Sequence, residues 1–167
     1  MLFRSVSCAG GTTNVTLSAI GGIAPYTGTG VFSRTAGPYN FNVTDANGCV
    51  AAISGTITEP SVLSATSMKG AINCFGGTTI VSITANGGTA PYTGTGNFTK
   101  PAGVYAFTIT DANGCTATTS VTIGQPAVLT VSSAVTPIRC YGGTTNISVT
   151  ASGGTLPYRS EEHTSEL

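Results

Sequence analysis

The sequence has 167 residues, a formal net charge of zero and only 7% charged residues, against roughly 25% in an average soluble domain, so Thr, Ser, Gly and Asn must supply the polar surface. It has no Lys/Arg run and no acidic tail, so the basic footprint that a nucleic acid or an anionic membrane surface requires is missing. The apolar stretches are a few residues long, far short of the ~18 that span a bilayer.

The two ends read differently from what lies between them. Arg159-Ser160-Glu161-Glu162-His163-Thr164-Ser165-Glu166-Leu167 resembles the translation of a common DNA-sequencing adapter, and Met1-Leu2-Phe3-Arg4-Ser5 resembles its reverse complement read from a GTG start. Both ends are set aside as scars; the alternative is a genuine charged tail. The remaining segment, 6–158, carries four cations (Arg34, Lys69, Lys100, Arg139) and three acids (Asp45, Glu59, Asp111), a net charge of +1, and no histidine. The true termini are expected to lie elsewhere, so the lack of an export signal carries no weight.

A 66-residue step organises the chain. Cys8, Cys74 and Cys140 are 66 apart, as are Cys49 and Cys115. The same step superimposes Gly10-Gly11, Gly76-Gly77 and Gly142-Gly143, then Pro25-Tyr26, Pro91-Tyr92 and Pro157-Tyr158. It also lays Thr44-Asp45-Ala46-Asn47-Gly48-Cys49 on Thr110-Asp111-Ala112-Asn113-Gly114-Cys115. Glu59-Pro60 and Gln125-Pro126 close successive units, and proline suits a boundary because it cannot donate to a sheet ladder. The expected division is a partial repeat at 1–60, a complete repeat at 61–126, a truncated repeat at 127–158 and the tail 159–167.

Within each repeat the apolar period is two, the mark of a half-buried strand. In repeat 2 a leading strand is expected near Val62 to Met68. Val81, Ile83 and Ala85 then alternate with Ser and Thr, matching Val15, Leu17 and Ala19 before them and Ile147, Val149 and Ala151 after them. Short strands are expected around Tyr92 to Phe98. Tyr105, Phe107 and Ile109 follow, matching Tyr39, Phe41 and Val43, and end in a turn where Asn113-Gly114, like Asn47-Gly48, accepts the positive φ of a tight hairpin. The chain returns along Ala117, Thr119, Val121 and Ile123. About six or seven strands in 66 residues predict an all-β fold of small sandwiches, each roughly 30 Å tall. Val81, Ile83, Tyr105, Phe107, Ile109, Val121 and Ile123 are the expected core, with Ser82, Thr84, Thr108 and Thr122 facing out. A core of this size is marginal alone, so staples or neighbours are expected to support it.

Chemistry-bearing residues are sparse. Acid–base catalysis draws on histidine or a close carboxylate pair, whereas Asp45 and Asp111 occupy the same turn in successive repeats, so no catalytic residue is assigned. Their Asp-x-Asn-Gly resembles the opening of an EF-hand loop, but no bidentate Glu follows at its twelfth position, so no metal site is assigned. The Gly-Gly pairs precede neither Lys-Ser/Thr nor a helix, which leaves them as bends and implies no phosphate-bearing cofactor. Tyr26 and Tyr92, with Phe32 and Phe98 near them, are core or loop-packing residues, or else sugar-stacking contacts. Cys8, Cys49, Cys74, Cys115 and Cys140 read as a disulfide framework from an oxidising compartment; no Cys-x-x-Cys or histidine supports zinc.

Together, Cys74-Phe75-Gly76-Gly77, Gly87-Gly88-Thr89-Ala90-Pro91-Tyr92, the run from Ala102 to Cys115 and the closing Gln125-Pro126 resemble the SprB-type repeat. That repeat occurs in many copies in very large cell-surface proteins of gliding and other Bacteroidetes. Where the family often carries Trp after Pro-Tyr, this chain reads Tyr92-Thr93-Gly94-Thr95-Gly96. The resemblance implies tandem Ig-like or PKD-like β-sandwich modules, exported to the outer cell surface, with a spacer or adhesive role and no enzymatic one. It implies neighbouring repeats of the same chain as partners, with surface polysaccharide as a further partner. The alternatives are a carbohydrate-binding module array and spacer repeats attached to a secreted hydrolase. Two disulfide pairings stay open. Cys8 with Cys49 and Cys74 with Cys115 lie within repeats; the Ig-like layout that the resemblance implies favours Cys8 with Cys115, between repeats, and leaves Cys49, Cys74 and Cys140 for partners elsewhere.

Overall fold

Alternation of β-branched and aromatic residues with Thr and Ser builds strands throughout, and no helix forms among the described residues. In the computed structural model, which describes residues 5–161, the strands are β1 (Thr13–Leu17), β2 (Gly30–Arg34), β3 (Gly37–Thr44), β4 (Val50–Ile57), β5 (Ser64–Lys69), β6 (Thr78–Asn86), β7 (Gly96–Pro101), β8 (Gly103–Thr110), β9 (Thr116–Ile123), β10 (Thr130–Val135) and β11 (Ile147–Ser152). They form small sheets ordered β1-β2, β3-β4, β5-β6-β7, β8-β9 and β10-β11. The pairs β1-β2, β3-β4 and β10-β11 are antiparallel. Residues 1–4 and 162–167, where most of the adapter-like sequence falls, lie outside the described residues. Arg159, Ser160 and Glu161 are exposed and outside every strand, with Arg159 and Glu161 ion-paired to each other at 3.0 Å.

The chain divides into two compact units, and strands β5 to β9 each contribute residues to both. The first gathers the chain up to Thr66 with Ile83–Gly96 and Phe107–Thr119. Its main core joins Val6, Val15, Leu17, Tyr39, Phe41 and Ile57, with Phe32 and Ala36 packed against them. The period-two pattern explains it: Val15 and Leu17 fill the inward positions of β1, and Tyr39 and Phe41 those of β3. The Phe41 ring lies 4.9 Å from Phe32 and 5.6 Å from Tyr39, centroid to centroid. The Arg34 guanidinium covers both phenylalanines, 5.2 Å from Phe41 and 5.8 Å from Phe32. In the same unit Ile83 and Ile109 are buried.

The second unit gathers Ser67–Ser82, Asn97–Ala106 and the chain from Ser120 onward. Ile72, Thr79, Val81 and Ile123 are buried in it. The Lys69 ammonium donates to the Thr122 carbonyl. Strands β10 and β11 are exposed along almost their whole length, Val131, Val149 and Ile147 included.

Two expectations need correction. Of the seven core residues foreseen, Val81, Ile83, Ile109 and Ile123 are buried, but Tyr105, Phe107 and Val121 are only half-buried. The Tyr105 hydroxyl donates to the Pro101 carbonyl at 3.2 Å, and Lys100 sits 5.2 Å from its ring, which holds the ring toward the surface. Thr84, Thr108 and Thr122 are exposed as expected, whereas Ser82 is half-buried because its hydroxyl donates to Asn97 Oδ1 at 2.7 Å. Residues 61–126 carry β5 to β9 and one isolated bridge, Thr93 to Thr110, and so fall short of six or seven strands. Gly94, at φ +84, turns the chain out of the ladder, and a side chain there would collide with the Thr108 carbonyl oxygen. The peptide bonds before Pro25, Pro91 and Pro157 are all cis.

Candidate functional site

The site begins with one turn used twice. After β8, Asp111 Oδ1 accepts the backbone amides of Asn113 and Cys115, both at 2.9 Å, while Oδ2 accepts the amide of Thr89 at 2.9 Å. The Asp111 amide donates to the Cys115 carbonyl at 2.9 Å, and Gly114 donates to the Asp111 carbonyl at 3.1 Å. After β3 the pattern repeats: Asp45 Oδ1 accepts Asn47 and Cys49 at 3.0 and 2.9 Å, and Oδ2 accepts Ile23 at 3.1 Å. A short carboxylate satisfies amides that the reversing chain would otherwise leave bare, and Gly48 and Gly114 take positive φ at the turn.

Electrostatics follow from those bonds. Burial works against the charge of Asp111, but the amides of Thr89, Cys115, Asn113 and Gly114 together outweigh it and hold the carboxyl below its ordinary value of 3.8. For Asp45 the amides of Cys49 and Ile23 lead, and the pKa is again lowered. Both carboxylates are therefore ionised acceptors already committed to the backbone. That geometry suits a structural clamp and gives neither a proton donor near neutral pH.

The Asp111 turn aims its cysteine at another loop. Cys115 is bonded to Cys8, with Cα atoms 5.7 Å apart across a sequence separation of 107 residues, well within the range a disulfide spans. Both cysteines are half-buried. Beside the bridge, Asn113 Nδ2 donates to the Ser7 carbonyl and to Thr89 Oγ1, each at 3.0 Å. Of the two pairings left open, Cys8 with Cys115 is therefore the one observed. Cys49, Cys74 and Cys140 are exposed free thiols.

The loops that carry the cysteines are themselves tied down. The Gly10 amide donates to Glu59 Oε2 at 2.6 Å, and 66 residues later the Gly76 amide donates to Gln125 Oε1 at 2.8 Å. Carboxylate and carboxamide present the same acceptor to the same Gly-Gly bend. In the second unit, Thr155 Oγ1 donates to the Asn73 carbonyl at 3.3 Å. Thr155 and Asn73 stand one step beyond Thr89 and Ser7, the two partners of Asn113.

The tyrosines singled out by sequence are anchored locally. Tyr26 donates to the Gly21 carbonyl at 2.6 Å and Tyr92 to that of Gly87 at 2.7 Å. Both are half-buried, each hydroxyl bracing its own loop. Sequence reasoning missed Ser7, Thr89, Glu59 and Gln125 as members of the site; the Glu/Gln exchange at one step before proline was the readable signal. Among the described residues no helix is long and apolar enough to cross a membrane. The chain matches no protein-family model, and comparisons with curated proteins and with solved structures find no match.

Proposed function

We propose that this chain is a run of tandem Ig-like β-sandwich repeats from an exported bacterial surface protein, and that its work is mechanical and adhesive and not enzymatic. The observation that carries the reading is the Cys8–Cys115 bridge, which fastens the first loop of one 66-residue repeat to the hairpin turn of the next. A staple of this kind resists separation of neighbours under load, and it fits an oxidising, extracellular compartment. One step on, the counterparts of the two groups that Asn113 joins meet directly, Thr155 Oγ1 on the Asn73 carbonyl, which supports a joint that recurs along the array. The SprB-type resemblance supports the cell surface as location and surfaces or polysaccharides as what is held.

Pulling single molecules from their ends tests the mechanical part. In the oxidised chain the segment between the bridged cysteines, a sequence separation of 107, stays locked, hiding roughly 350–390 Å of contour length that reductant should release. Equal lengths with and without reductant would refute the staple. Beads coated with the chain test adhesion: retention on polysaccharide-coated glass no greater than that of albumin-coated beads removes the adhesive role.

A further inference from the structure

An Asn-Gly pair can modify itself. The Gly nitrogen, which no side chain shields, attacks the Asn Cγ. The Cγ–Nδ2 bond breaks, and Nδ2 leaves as ammonia with the proton that the Gly amide gives up. Water then opens the succinimide ring at either carbonyl, leaving aspartate or isoaspartate in place of asparagine. This chain presents the pair twice in the same turn, at Asn47-Gly48 and at Asn113-Gly114.

Both asparagines are exposed, and both glycine amides are engaged alike, Gly48 on the Asp45 carbonyl at 3.0 Å and Gly114 on the Asp111 carbonyl at 3.1 Å. Neither exposure nor the turn itself separates the two sites. The side-chain amide does. Asn113 Nδ2, the atom that has to leave, donates to the Ser7 carbonyl and to Thr89 Oγ1, each at 3.0 Å. Beside the other turn Ile23 holds the place of Thr89, its amide on Asp45 Oδ2 as that of Thr89 is on Asp111 Oδ2. Isoleucine has no side-chain oxygen to accept from Asn47. To react, Asn113 must swing its Cγ onto the Gly114 nitrogen and release Ser7 and Thr89. The rate at 113 is then set by the fraction of time in which the turn stands off those partners. The adjacent Cys8–Cys115 bridge keeps that fraction low.

We propose that Asn113-Gly114 is a self-modification site masked by the contacts at Ser7 and Thr89, with water as its co-reactant, and that aspartate or isoaspartate at 113 permanently marks a chain in which those contacts have opened. The product does not restore them. A carboxylate has no N–H to give, so it meets the Ser7 carbonyl acceptor against acceptor. Isoaspartate also inserts a backbone carbon between the amides of Asn113 and Cys115, the two that Asp111 Oδ1 accepts. The inference goes beyond the mechanical reading and rests only on the contacts named.

The test is peptide mapping by mass spectrometry of the full oxidised chain, its free thiols at Cys49, Cys74 and Cys140 alkylated, after timed incubation in mildly alkaline buffer. Conversion is scored separately at 47 and at 113. Two hydrogen bonds of ordinary strength should hold the rate at Asn113 about tenfold or more below that at Asn47. The two rates should converge in urea with reductant, where both sites are the same Asp-Ala-Asn-Gly-Cys peptide. Reduction of the bridge without urea, and Thr89→Val with the bridge intact, should raise the rate at 113 toward that at 47. Equal rates in the folded oxidised chain, or a rate at 113 that neither change moves, overturn the proposal. If Thr89→Val does not fold, the comparison of the two asparagines in the unaltered chain decides. The readout is a mass at one residue, so failure of the pulling or bead assay leaves this site standing, and failure here leaves those roles standing.

Discussion

Asn113 and Ser7, 106 residues apart in sequence, meet through a 3.0 Å hydrogen bond from Asn113 Nδ2 to the Ser7 carbonyl, directly beside the Cys8–Cys115 bridge. The contact adds a non-covalent tie between the turn after β8 and the loop before β1, next to the covalent one.

Thiol counting follows from that pairing. The oxidised monomer should titrate three thiols, Cys49, Cys74 and Cys140, and five after denaturation and reduction. Pairing within repeats would leave one, so a single reactive thiol would contradict the bridge. Closing a loop of 107 residues stabilises by about 4–5 kcal/mol in chain-entropy accounting. Cys8→Ser should accordingly lower the denaturant midpoint of the cooperative unit that contains the bridge.

Acid should weaken both Asp turns. Asp45 and Asp111 are held below 3.8 in the folded chain, so the unfolded chain takes up protons first as pH falls. Their stabilisation is full above that ordinary carboxylate value and is lost as pH drops through the lower folded values. Melting temperature should be flat from neutrality to about pH 5 and fall below pH 4. Asp111→Asn should lower it at neutral pH and flatten the acid limb; an unchanged acid limb in the Asp45→Asn/Asp111→Asn double variant would assign the loss to other groups.

Burial ranks the aromatic truncations. Phe41 is 9% exposed and packs against Phe32 and Tyr39, so Phe41→Ala should destabilise by about 3–5 kcal/mol. Ile109, fully buried, should lose about 2–5 kcal/mol on replacement by Ala. Phe107, half-buried, should lose less than Phe41. Urea unfolding of the three variants checks the order, and a larger loss for Phe107→Ala would reverse it.

Strand positions were legible where Val and Ile alternate with Thr and Ser, as in β6, because burial of one sheet face imposes a period of two. Val6 was not legible: it stands between two serines with no alternation to mark it, and its burial depends on pairing its amide with the Thr58 carbonyl at 3.0 Å. The Arg34 guanidinium over Phe32 and Phe41 left no trace either, because a lone cation in a strand reads as solvated. The turn carboxylates were visible from Asp-Ala-Asn-Gly, since that chemistry is local. Ser7, Thr89 and Asn113 were harder, because a backbone carbonyl, a hydroxyl and an amide from three loops meet only once the repeats are joined.

The pairing of Tyr39 with Gly55 across β3 and β4 gives the last prediction. The end of the Tyr39 side chain lies against Gly55, so that a Cβ added there would stand 2.7 Å from Tyr39 Cζ, far inside van der Waals contact. Gly55→Ala must therefore push the ring from its buried position, and overpacking of this kind destabilises by about 1–3 kcal/mol. One step later the sequence has Val121 in place of Gly55, and the corresponding Tyr105 is half-buried with its hydroxyl on Pro101, the arrangement expected when a side chain occupies the space beneath the ring. A double-mutant cycle separates this clash from any change in strand propensity. With Tyr39 replaced by Ala the added methyl group has room, so Gly55→Ala should be close to neutral there, giving a coupling of about 0.5–3 kcal/mol. Equal losses in both backgrounds would place the effect in the backbone of β4 and not under the tyrosine.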